Sequence, residues 1–381
     1  MKIAFLTPEY PHPKTGNSGG IGTSIKNLAM GFLAQGVSVR VLVYGQKEDA
    51  FFEDNGVLIQ QIKNVKVKGL SWFFTRKKIE RIINKLYSNK EVDLIEAPDW
   101  TGITSFVKPK KCPIIIRLHG SDTYFCHLDN RPVKWVNKFH EKRALIKADA
   151  LLSVSQFTAD TTNDVFGLVK NFTIIPNPID VSLFQSDKNV QKEKSILYFG
   201  SLIRKKGLLE LPLIFNKVIE NDPDVKLTLI GKDVSDIISG NASIWQMMQE
   251  LFSDKAKQNA VYLGSVPYTE IKQKIQDATL CVFPSFAEAF PVSWLEAMAM
   301  EKPIVASNIG WANEMVDDGD NGFLVHPTNH EVFAKKIDIL LNDEELCLKM
   351  GKSARKKVED FFNIDRIAKQ NIEFYKSVIN P

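Results

Sequence analysis

The sequence predicts an α/β protein made of two doubly wound, parallel-sheet domains. Short runs rich in β-branched residues alternate with longer amphipathic runs, which is typical of parallel strands joined by helices. This alternation occurs once over residues 2–175 and again from residue 195 onward. Between the two series lies Pro176–Lys194, which begins with the rigid turn Pro176-Asn177-Pro178 and continues as a polar stretch, so we expect the domain seam there.

Each series supplies its own set of strands. The first predicts strands at Lys2–Leu6, Val37–Tyr44, Leu94–Ala97, Ile114–Leu118, Ala150–Val154 and Phe172–Ile175, with helices at Thr23–Gln35 and Trp135–Lys147. The second predicts strands at Ser195–Phe199, Lys226–Ile230, Val261–Leu263, Leu280–Phe283 and Pro303–Ala306, with helices at Leu208–Glu220, Tyr268–Gln276, Val292–Met300, Glu344–Lys357 and Ile364–Val378. In doubly wound sheets ligands bind beyond the carboxyl ends of the strands, so the segments that follow strands are the candidate sites.

Composition and charge exclude several classes of protein. The chain has 381 residues, 44% hydrophobic and 25% charged, which fits a soluble globular protein of two or three domains and excludes disordered and collagen-like classes. No apolar run approaches the roughly 20 residues of a membrane span, and the amino terminus does not resemble a signal peptide. Four widely spaced cysteines without CxxC spacing argue against zinc and for the reducing cytoplasm.

The charge is divided unevenly along the chain. Residues 1–180 hold 25 Lys and Arg against 17 Asp and Glu, whereas residues 181–381 hold 24 against 28. A basic half suggests an anionic partner. Nucleic acid is not expected, because the excess is confined to one half and no readout motif accompanies it.

The segment after Leu280–Phe283 carries the strongest motif. Pro291 suits the first position of a helix, and Phe290 before it offers no capping oxygen, so the first-turn N–H groups can receive a phosphate. Glu288 precedes this helix and Glu296 lies inside it, and a carboxylate can accept hydrogen bonds from two sugar hydroxyls. The alternative is a pair of solvated glutamates near the start of a helix.

Three further segments follow predicted strands. The loop with Gly19 and Gly20 lacks dinucleotide-binding spacing but permits close backbone approach to a ligand, unless it is only a flexible loop. His119 lies just past a strand, where a site role competes with a structural one. Arg204-Lys205-Lys206 can neutralise a diphosphate, or form a solvated basic loop.

In this order the motifs resemble the retaining glycosyltransferases of family 4, which have the GT-B fold of two facing Rossmann-like domains. The resemblance runs from Met1 to about Tyr375, and its most specific element is the E-x7-E motif from Glu288 to Glu296. It implies an acceptor-binding domain over 1–182, a nucleotide-sugar-binding domain over 183–363, and a helix within 364–381 that crosses back onto the first domain. Supporting segments are Gly19-Gly20, His119-Gly120, Ile175–Asp180, Lys206-Gly207, Lys302–Ser307 and Asn321–Val325.

The resemblance also implies roles in binding the donor. Glu288 would bind hydroxyls of the transferred sugar and Glu296 those of the ribose, while Lys206 would neutralise the diphosphate. Backbone N–H groups between Phe290 and Val292 would meet the distal phosphate, although Pro291 itself has none. The nucleobase is expected near Val266 and Tyr268.

The resemblance implies further roles for three glycines and for residues on the acceptor side. Gly19 and Gly20 would approach phosphate or acceptor, while His119 and Asp122 would lie on the sugar and acceptor side. Gly200 ends the strand before the basic loop, and Ser201 stands where the family commonly has an arginine, so we expect Arg204 to reach back in its place.

The resemblance implies transfer of a sugar, with retention, from a nucleotide sugar, expected to be a UDP-sugar, to a glycan or lipid-linked acceptor in cell-surface polysaccharide synthesis. No cofactor or metal is expected, because Asp222-Pro223-Asp224 and Asp318-Gly319-Asp320 match D-x-D only as turns. The alternatives are another GT-B enzyme, such as a nucleotide-sugar epimerase or a phosphorylase, and a catalytically silent sugar-nucleotide-binding protein.

One segment of the basic half suggests a membrane partner. Within Lys63–Tyr87, Trp72 and Phe73 stand among basic residues that include Lys77 and Lys78. Aromatic and basic residues together suit an anionic membrane surface, so we expect peripheral docking on the cytoplasmic leaflet. The alternative is an ordinary helix with a solvated basic face and core aromatics.

Overall fold

The structure, a computed structural model, describes residues 1–16, 18–185 and 194–380. Contacts divide the chain into two compact units, the first comprising Met1–Ile179 with Phe362–Pro381 and the second comprising Asp180–Phe361. The division between Ile179 and Asp180 falls just after the Pro176-Asn177-Pro178 turn. Residues 186–193 of the expected polar seam lie outside the described residues, as does Asn17 of the glycine-rich loop.

The first unit is built on an eight-stranded sheet with the order β3-β4-β2-β1-β5-β6-β7-β8. All neighbouring strands are parallel except β3 and β4. The strands are β1 (Lys2–Thr7), β2 (Ser38–Gln46), β3 (Ala50–Asp54), β4 (Val57–Lys63), β5 (Leu94–Pro98), β6 (Ile114–Leu118), β7 (Ala150–Ser153) and β8 (Thr173–Ile174). The helices are α1 (Gly20–Ala34), α2 (Ser71–Ser88), α3 (Asp122–Leu128), α4 (Trp135–Lys147) and α5 (Gln156–Phe166).

The β3–β4 hairpin is an addition that the sequence analysis does not contain. Asn55 and Gly56 connect its strands, with φ of 50° and 83°. Asn and Gly adopt positive φ at low cost, and such two-residue connections match the twist of paired antiparallel strands. The hairpin therefore extends the edge of an otherwise parallel sheet.

The second unit is built on a six-stranded, fully parallel sheet with the order β11-β10-β9-β12-β13-β14. The direction of winding reverses between β9 and β12, so the loops after these two strands flank a topological switch point. The strands are β9 (Ser195–Phe199), β10 (Lys226–Ile230), β11 (Ala260–Tyr262), β12 (Leu280–Phe283), β13 (Ile304–Ser307) and β14 (Phe323–Val325). The helices are α6 (Leu211–Asn221), α7 (Ile244–Leu251), α8 (Asp254–Asn259), α9 (Tyr268–Asp277), α10 (Val292–Ala299), α11 (His330–Asn342) and α12 (Glu344–Lys357).

The last helix, α13 (Ile364–Ile379), belongs to the first unit. It packs on α1, where Gly31 leaves room for it: a Cβ at Gly31 would lie 2.8 Å from Cγ1 of Ile364. Ile367, Ile372 and Tyr375 join the core between α1 and the sheet. The chain therefore returns to its first unit after completing the second.

No described helix is both long enough and apolar enough to cross a bilayer. All four cysteines are buried and none forms a disulfide.

Candidate active site

The loops after β9 and β12 meet at the switch point of the second sheet. Gly207 closes the basic loop with a φ of 71°, and a Cβ at this position would lie 1.8 Å from the carbonyl oxygen of Pro284. The N–H of Phe286 donates to the carbonyl of Lys205 at 2.8 Å. This close backbone contact positions Lys206 against Glu288 of the next loop.

Lys206 and Glu288 form an ion pair at this junction. Nζ of Lys206 lies 2.9 Å from Oε1 of Glu288, which also accepts a hydrogen bond from the Ser285 hydroxyl at 3.3 Å. The Glu288 side chain is largely buried. Gly200 at the end of β9 lies beside this pair, because a Cβ there would be 3.6 Å from Nζ of Lys206. The structure thus brings together Gly200, Lys206 and Glu288.

The start of α10 differs by one residue from the sequence expectation. Pro291 has an extended ψ of 120° and is the N-cap, so Val292 and not Pro291 is the first helical residue. No side chain caps this end of the helix, and the N–H of Trp294 donates to the Pro291 carbonyl at 3.3 Å. Phe290, Pro291 and Val292 are all buried. The positive end of α10 is therefore available to an anion near Glu288.

Glu296 lies inside α10 and is buried. Its Oε1 accepts a 2.6 Å hydrogen bond from the hydroxyl of Tyr268, the first residue of α9. Burial raises the pKa of Glu296 to about 7, against the opposing effects of Tyr268 and Lys206. Burial and the neighbouring Glu296 also raise the pKa of Tyr268. Tyr268, predicted near a nucleobase with the half-buried Val266, thus contacts the predicted ribose-binding carboxylate.

Arg204 does not join Lys206 and Glu288. Its guanidinium binds Asp236 in a bidentate pair, with Nε 2.9 Å from Oδ1 and Nη2 2.6 Å from Oδ2. The hydrogen bond from Arg204 lowers the pKa of Asp236, which also accepts bonds from Ser239. At Ser201 the carbonyl oxygen accepts a hydrogen bond from the buried Tyr198 hydroxyl at 3.0 Å. Arg204 is thus held by Asp236, and its expected substitution for the family arginine at Ser201 stays a prediction.

Glu9, which the sequence analysis did not select, lies at the glycine-rich start of α1. Its Oε1 accepts a hydrogen bond from the N–H of Gly22 at 2.9 Å, and a Cβ at Gly19 would be 3.4 Å from the same oxygen. Gly20 has open space around its Cβ position. A carboxylate of the chain itself thus accepts from one N–H group, that of Gly22, next to the glycines expected to approach phosphate or acceptor. A glutamate in the segment after β1 was the available signal.

His119 follows β6 and is paired with a second unpredicted carboxylate, Asp99. The His119 N–H donates to Oδ1 of Asp99 at 2.9 Å, whereas Oδ2 of this buried side chain has no partner among the described residues. Burial raises the pKa of Asp99 to about 7, and burial with Arg117 lowers the pKa of His119 to about 3, so the imidazole is neutral at pH 7. The signal for Asp99 was its place directly after β5.

Asp122 is the first residue of α3, behind an N-cap at Ser121. Its Oδ2 accepts a hydrogen bond from Asn137 at 2.9 Å, and its Oδ1 is 3.7 Å from Arg131. Its N–H donates to the buried Glu141 at 3.0 Å. Asp122 is thus fixed to α4, at the same edge of the sheet as His119.

The aromatic residues and the lysines predicted to contact a membrane surface differ from one another in their surroundings. Trp72 is partly exposed and packs against His140, with ring centroids 5.1 Å apart, whereas Phe73 is half-buried. Lys77 pairs with Glu80 at 2.8 Å and Lys78 with Asp49 at 2.6 Å. The two lysines are therefore already neutralised by carboxylates of the chain.

Within the described ranges, no group of three or more His, Cys, Asp or Glu side chains is placed to hold a metal ion. Of the two D-x-D matches, Asp222 pairs with Lys194 at 2.8 Å, and Asp318-Gly319-Asp320 forms a turn in which Gly319 has a φ of 84°. The first D-x-D segment is thus held by an ion pair, and the second is a turn.

Comparisons with known proteins cover nearly the whole chain. The family model described as Glycosyltransferase Family 4 matches residues 18–183, and the one described as Glycosyl transferases group 1 matches residues 182–357. An uncharacterised glycosyltransferase of Methanocaldococcus jannaschii is 26% identical, over 99% of this chain and 98% of its own. The capsular polysaccharide biosynthesis glycosyltransferase CapM of Staphylococcus aureus is 26% identical over 53% of each chain.

A solved structure shares the architecture. The crystal structure of Anabaena HepE in complex with UDP-glucose superposes with a TM-score of 0.75 and 20% identity, covering 99% of this chain and 100% of that one. This likeness and the two doubly wound sheets show the GT-B fold, and the two consecutive family matches together span residues 18–357. The chain is a glycosyltransferase of the GT-B fold, in which residues 18–183 match the family 4 model and residues 182–357 match the group 1 model.

Proposed function

We propose that this enzyme is a retaining glycosyltransferase that moves a hexosyl group from a UDP-sugar to a glycan or lipid-linked acceptor in cell-surface polysaccharide synthesis. The observation that carries the proposal is the Lys206–Glu288 pair, 2.9 Å apart, at the switch point and beside the uncapped start of α10. A cation, a carboxylate and helix N–H groups within one short stretch of a sheet edge suit a diphosphate joined to a sugar.

Donor binding would redistribute the contacts of Lys206. Before binding, its ammonium group is neutralised by Glu288. A diphosphate has more charge and more acceptor oxygens than one carboxylate, so Nζ would turn towards it and leave Glu288 free to accept sugar hydroxyls. Glu296, eight residues further along, would accept the ribose hydroxyls beside Tyr268.

The proposed reaction is attack on the face from which the diphosphate leaves. The acceptor oxygen bonds to the anomeric carbon as the bond from that carbon to the distal phosphate oxygen breaks. The acceptor proton passes to that phosphate oxygen, and UDP departs. Lys206 and the positive end of α10 would stabilise the charge that grows on the leaving phosphate, so the proposal requires neither a metal nor another cofactor. Neutral His119 would contact the sugar as a hydrogen-bonding group.

The UDP-sugar donor and the role in polysaccharide synthesis are proposed from the relatives. HepE binds UDP-glucose, and CapM is named for capsular polysaccharide biosynthesis. The acceptor is proposed to meet the first unit near His119 and Asp122, where Asp99 has an unpartnered carboxylate oxygen.

The decisive experiment screens a panel of nucleotide sugars by thermal shift, followed by donor hydrolysis and analysis of the product anomer by NMR. We expect stabilisation by one UDP-sugar, hydrolysis with retention, and activity that survives EDTA. Glu288→Gln and Glu288→Ala should abolish transfer while UDP still binds. Transfer that persists in both variants would overturn the assignment of the site, and inversion of the anomeric configuration would overturn the mechanism. Donor binding without turnover by the wild type would favour a silent nucleotide-sugar-binding protein.

A further inference from the structure

The first unit exposes apolar side chains in two neighbouring segments, the approach to α2 with its first turn and the first turns of α4. Trp135 is 77% exposed and Phe139, one helical turn further along α4, is 48% exposed. On the α2 side, Leu70 is 48% and Trp72 is 42% exposed. We call this the aromatic surface; its exposed apolar members are Val67, Leu70, Trp72, Phe74, Trp135, Val136 and Phe139.

Aromatic contacts make the two segments one continuous surface. The ring of Phe106, at the end of the 3₁₀ segment Trp100–Phe106, lies 5.4 Å from Trp72 and 6.4 Å from Phe139 between centroids. His140 lies 5.1 Å from Trp72 and 5.3 Å from Phe139. Because these rings pack edge to face or tilted against one another, Trp72 and Phe139 are held in place at the surface.

The cations around the aromatic surface are exposed and lack ion pairs. Lys66 and Lys68 precede α2, while Lys134 and Lys138 flank Trp135. In the described parts of the chain none of these four forms a salt bridge, in contrast to Lys77 and Lys78. The nearest carboxylate on α4, Glu141, is buried and accepts hydrogen bonds from Thr101, Asp122 and Thr123. The surface therefore carries a net positive charge.

We propose that the aromatic surface docks this enzyme onto an anionic lipid bilayer. Rigid aromatic rings suit the boundary between headgroups and acyl chains, and unpaired lysines suit the negative potential of anionic lipids. The charge favours a bilayer over a second copy of the chain, which would bring like charges together. The docking residues differ from those predicted from the sequence, since α4 contributes Trp135 and Phe139 and the unpaired lysines replace Lys77 and Lys78. The inference does not depend on the donor chemistry.

The test measures co-sedimentation of the full chain with phosphatidylglycerol–phosphatidylcholine vesicles and with pure phosphatidylcholine vesicles. We expect binding to the anionic vesicles that weakens with salt. Trp135→Ser/Phe139→Ser and Lys134→Glu/Lys138→Glu should each lower the partition coefficient by about tenfold or more. Ile237→Ser/Ile238→Ser and Lys255→Glu/Lys257→Glu, at exposed positions of the second unit, are the matched controls and should bind as wild type.

A second readout follows the exposed tryptophan directly. Anionic vesicles should shift the fluorescence of the wild type to the blue, and Trp135→Phe should still bind but show a smaller shift, which then comes from Trp72. Equal binding to neutral vesicles, unchanged binding of both double variants, or a wild-type dimer that these variants make monomeric would overturn the proposal. Donor hydrolysis without lipid should be unchanged in the docking variants, so failure of docking and failure of the proposed reaction are distinguishable.

Discussion

At the scale of single residues, the Lys206–Glu288 ion pair is the main element of the proposed site. The carboxylate is largely buried and its lysine partner lies 2.9 Å away, so each charge offsets the cost of burying the other. Such a pair is stable without donor and can exchange partners when a diphosphate arrives. The same lysine thereby supports the folded loop and the proposed transition state.

Replacing Lys206 should therefore lower both activity and loop stability, because Glu288 loses its partner as well as the leaving phosphate its cation. For Lys206→Ala we expect kcat to fall by about 10²–10³-fold, because the leaving phosphate loses its stabilising cation. Lys206→Arg should recover part of the activity, since the charge is retained. Steady-state kinetics and UDP titration measure both effects, with Lys257→Ala on the exposed surface of α8 as control. An unchanged kcat in Lys206→Ala would contradict the assignment.

The proposed role of Glu296 in binding the ribose predicts that donor binding depends on pH. Its pKa is raised to about 7, so it is mostly protonated below pH 7, and a carboxylic acid accepts fewer hydroxyl hydrogen bonds than a carboxylate. We expect UDP affinity to weaken by up to about tenfold per pH unit below 7. Because the folded pKa exceeds the unfolded one, ionisation of Glu296 should also lower stability as pH rises from the unfolded pKa to about 7.

Calorimetric titration of UDP between acid and mildly alkaline pH tests this dependence. Glu296→Gln should flatten the profile, because the amide does not titrate. Tyr268→Phe should keep a pH-dependent profile but shift its midpoint upward, since the phenol donates to the ionised carboxylate at 2.6 Å. A wild-type profile that is flat across pH 7 would refute the role of Glu296.

At the scale of elements, the turn at Gly207 fixes the distance between the two site loops. Gly207→Ala would place a Cβ 1.8 Å from the Pro284 carbonyl at a positive φ. We expect a loss of about 2–4 kcal/mol in stability and a large loss of donor binding, because the loops must separate. Gly319→Ala has a similar φ but open space, and should cost only about 1 kcal/mol. Urea unfolding compares the free energies of unfolding of the two variants. Equal losses would show that the positive φ alone, and not the contact with the Pro284 carbonyl, accounts for the effect at Gly207.

Most strands of the two sheets could be predicted from the sequence, but their long-range contacts could not. Periodicity predicted most of the strands, and the post-strand rule selected Lys206, Glu288, Glu296 and His119 as candidates. The structure brings Lys206 and Glu288 together, and the roles of all four stay predictions. The β3–β4 hairpin was missed although Asn55-Gly56 is a strong hairpin signal. Contacts between distant segments were beyond reach: nothing in the sequence pairs Arg204 with Asp236 or joins Trp72 to Phe139 through Phe106.

At the scale of the whole molecule, a buried polar network joins the returning helix α13 to the first sheet. Arg117 on β6 forms a bidentate pair with Glu96 on β5, at 2.8 and 3.0 Å. From α13, the Tyr375 hydroxyl donates to Glu96 at 2.5 Å and Asn371 accepts from Arg117. These partners are separated by more than 250 residues, so the first unit is complete only after the second has been synthesised.

The stability of the first unit should therefore depend on the end of the chain. Tyr375→Phe removes a buried donor to Glu96 and should cost about 1–3 kcal/mol. Tyr375→Ala also leaves a cavity beside Phe32, whose ring centroid is 5.7 Å away, and should cost about 3–5 kcal/mol. In both variants, backbone amide hydrogens should exchange faster across β1, β5 and β6, while those of β9–β14 keep their protection. Lys376→Ala, at the neighbouring exposed position, should behave as wild type. If Tyr375→Phe leaves the protection of β5 and β6 unchanged, the network contributes nothing to holding α13, and apolar packing alone accounts for its return.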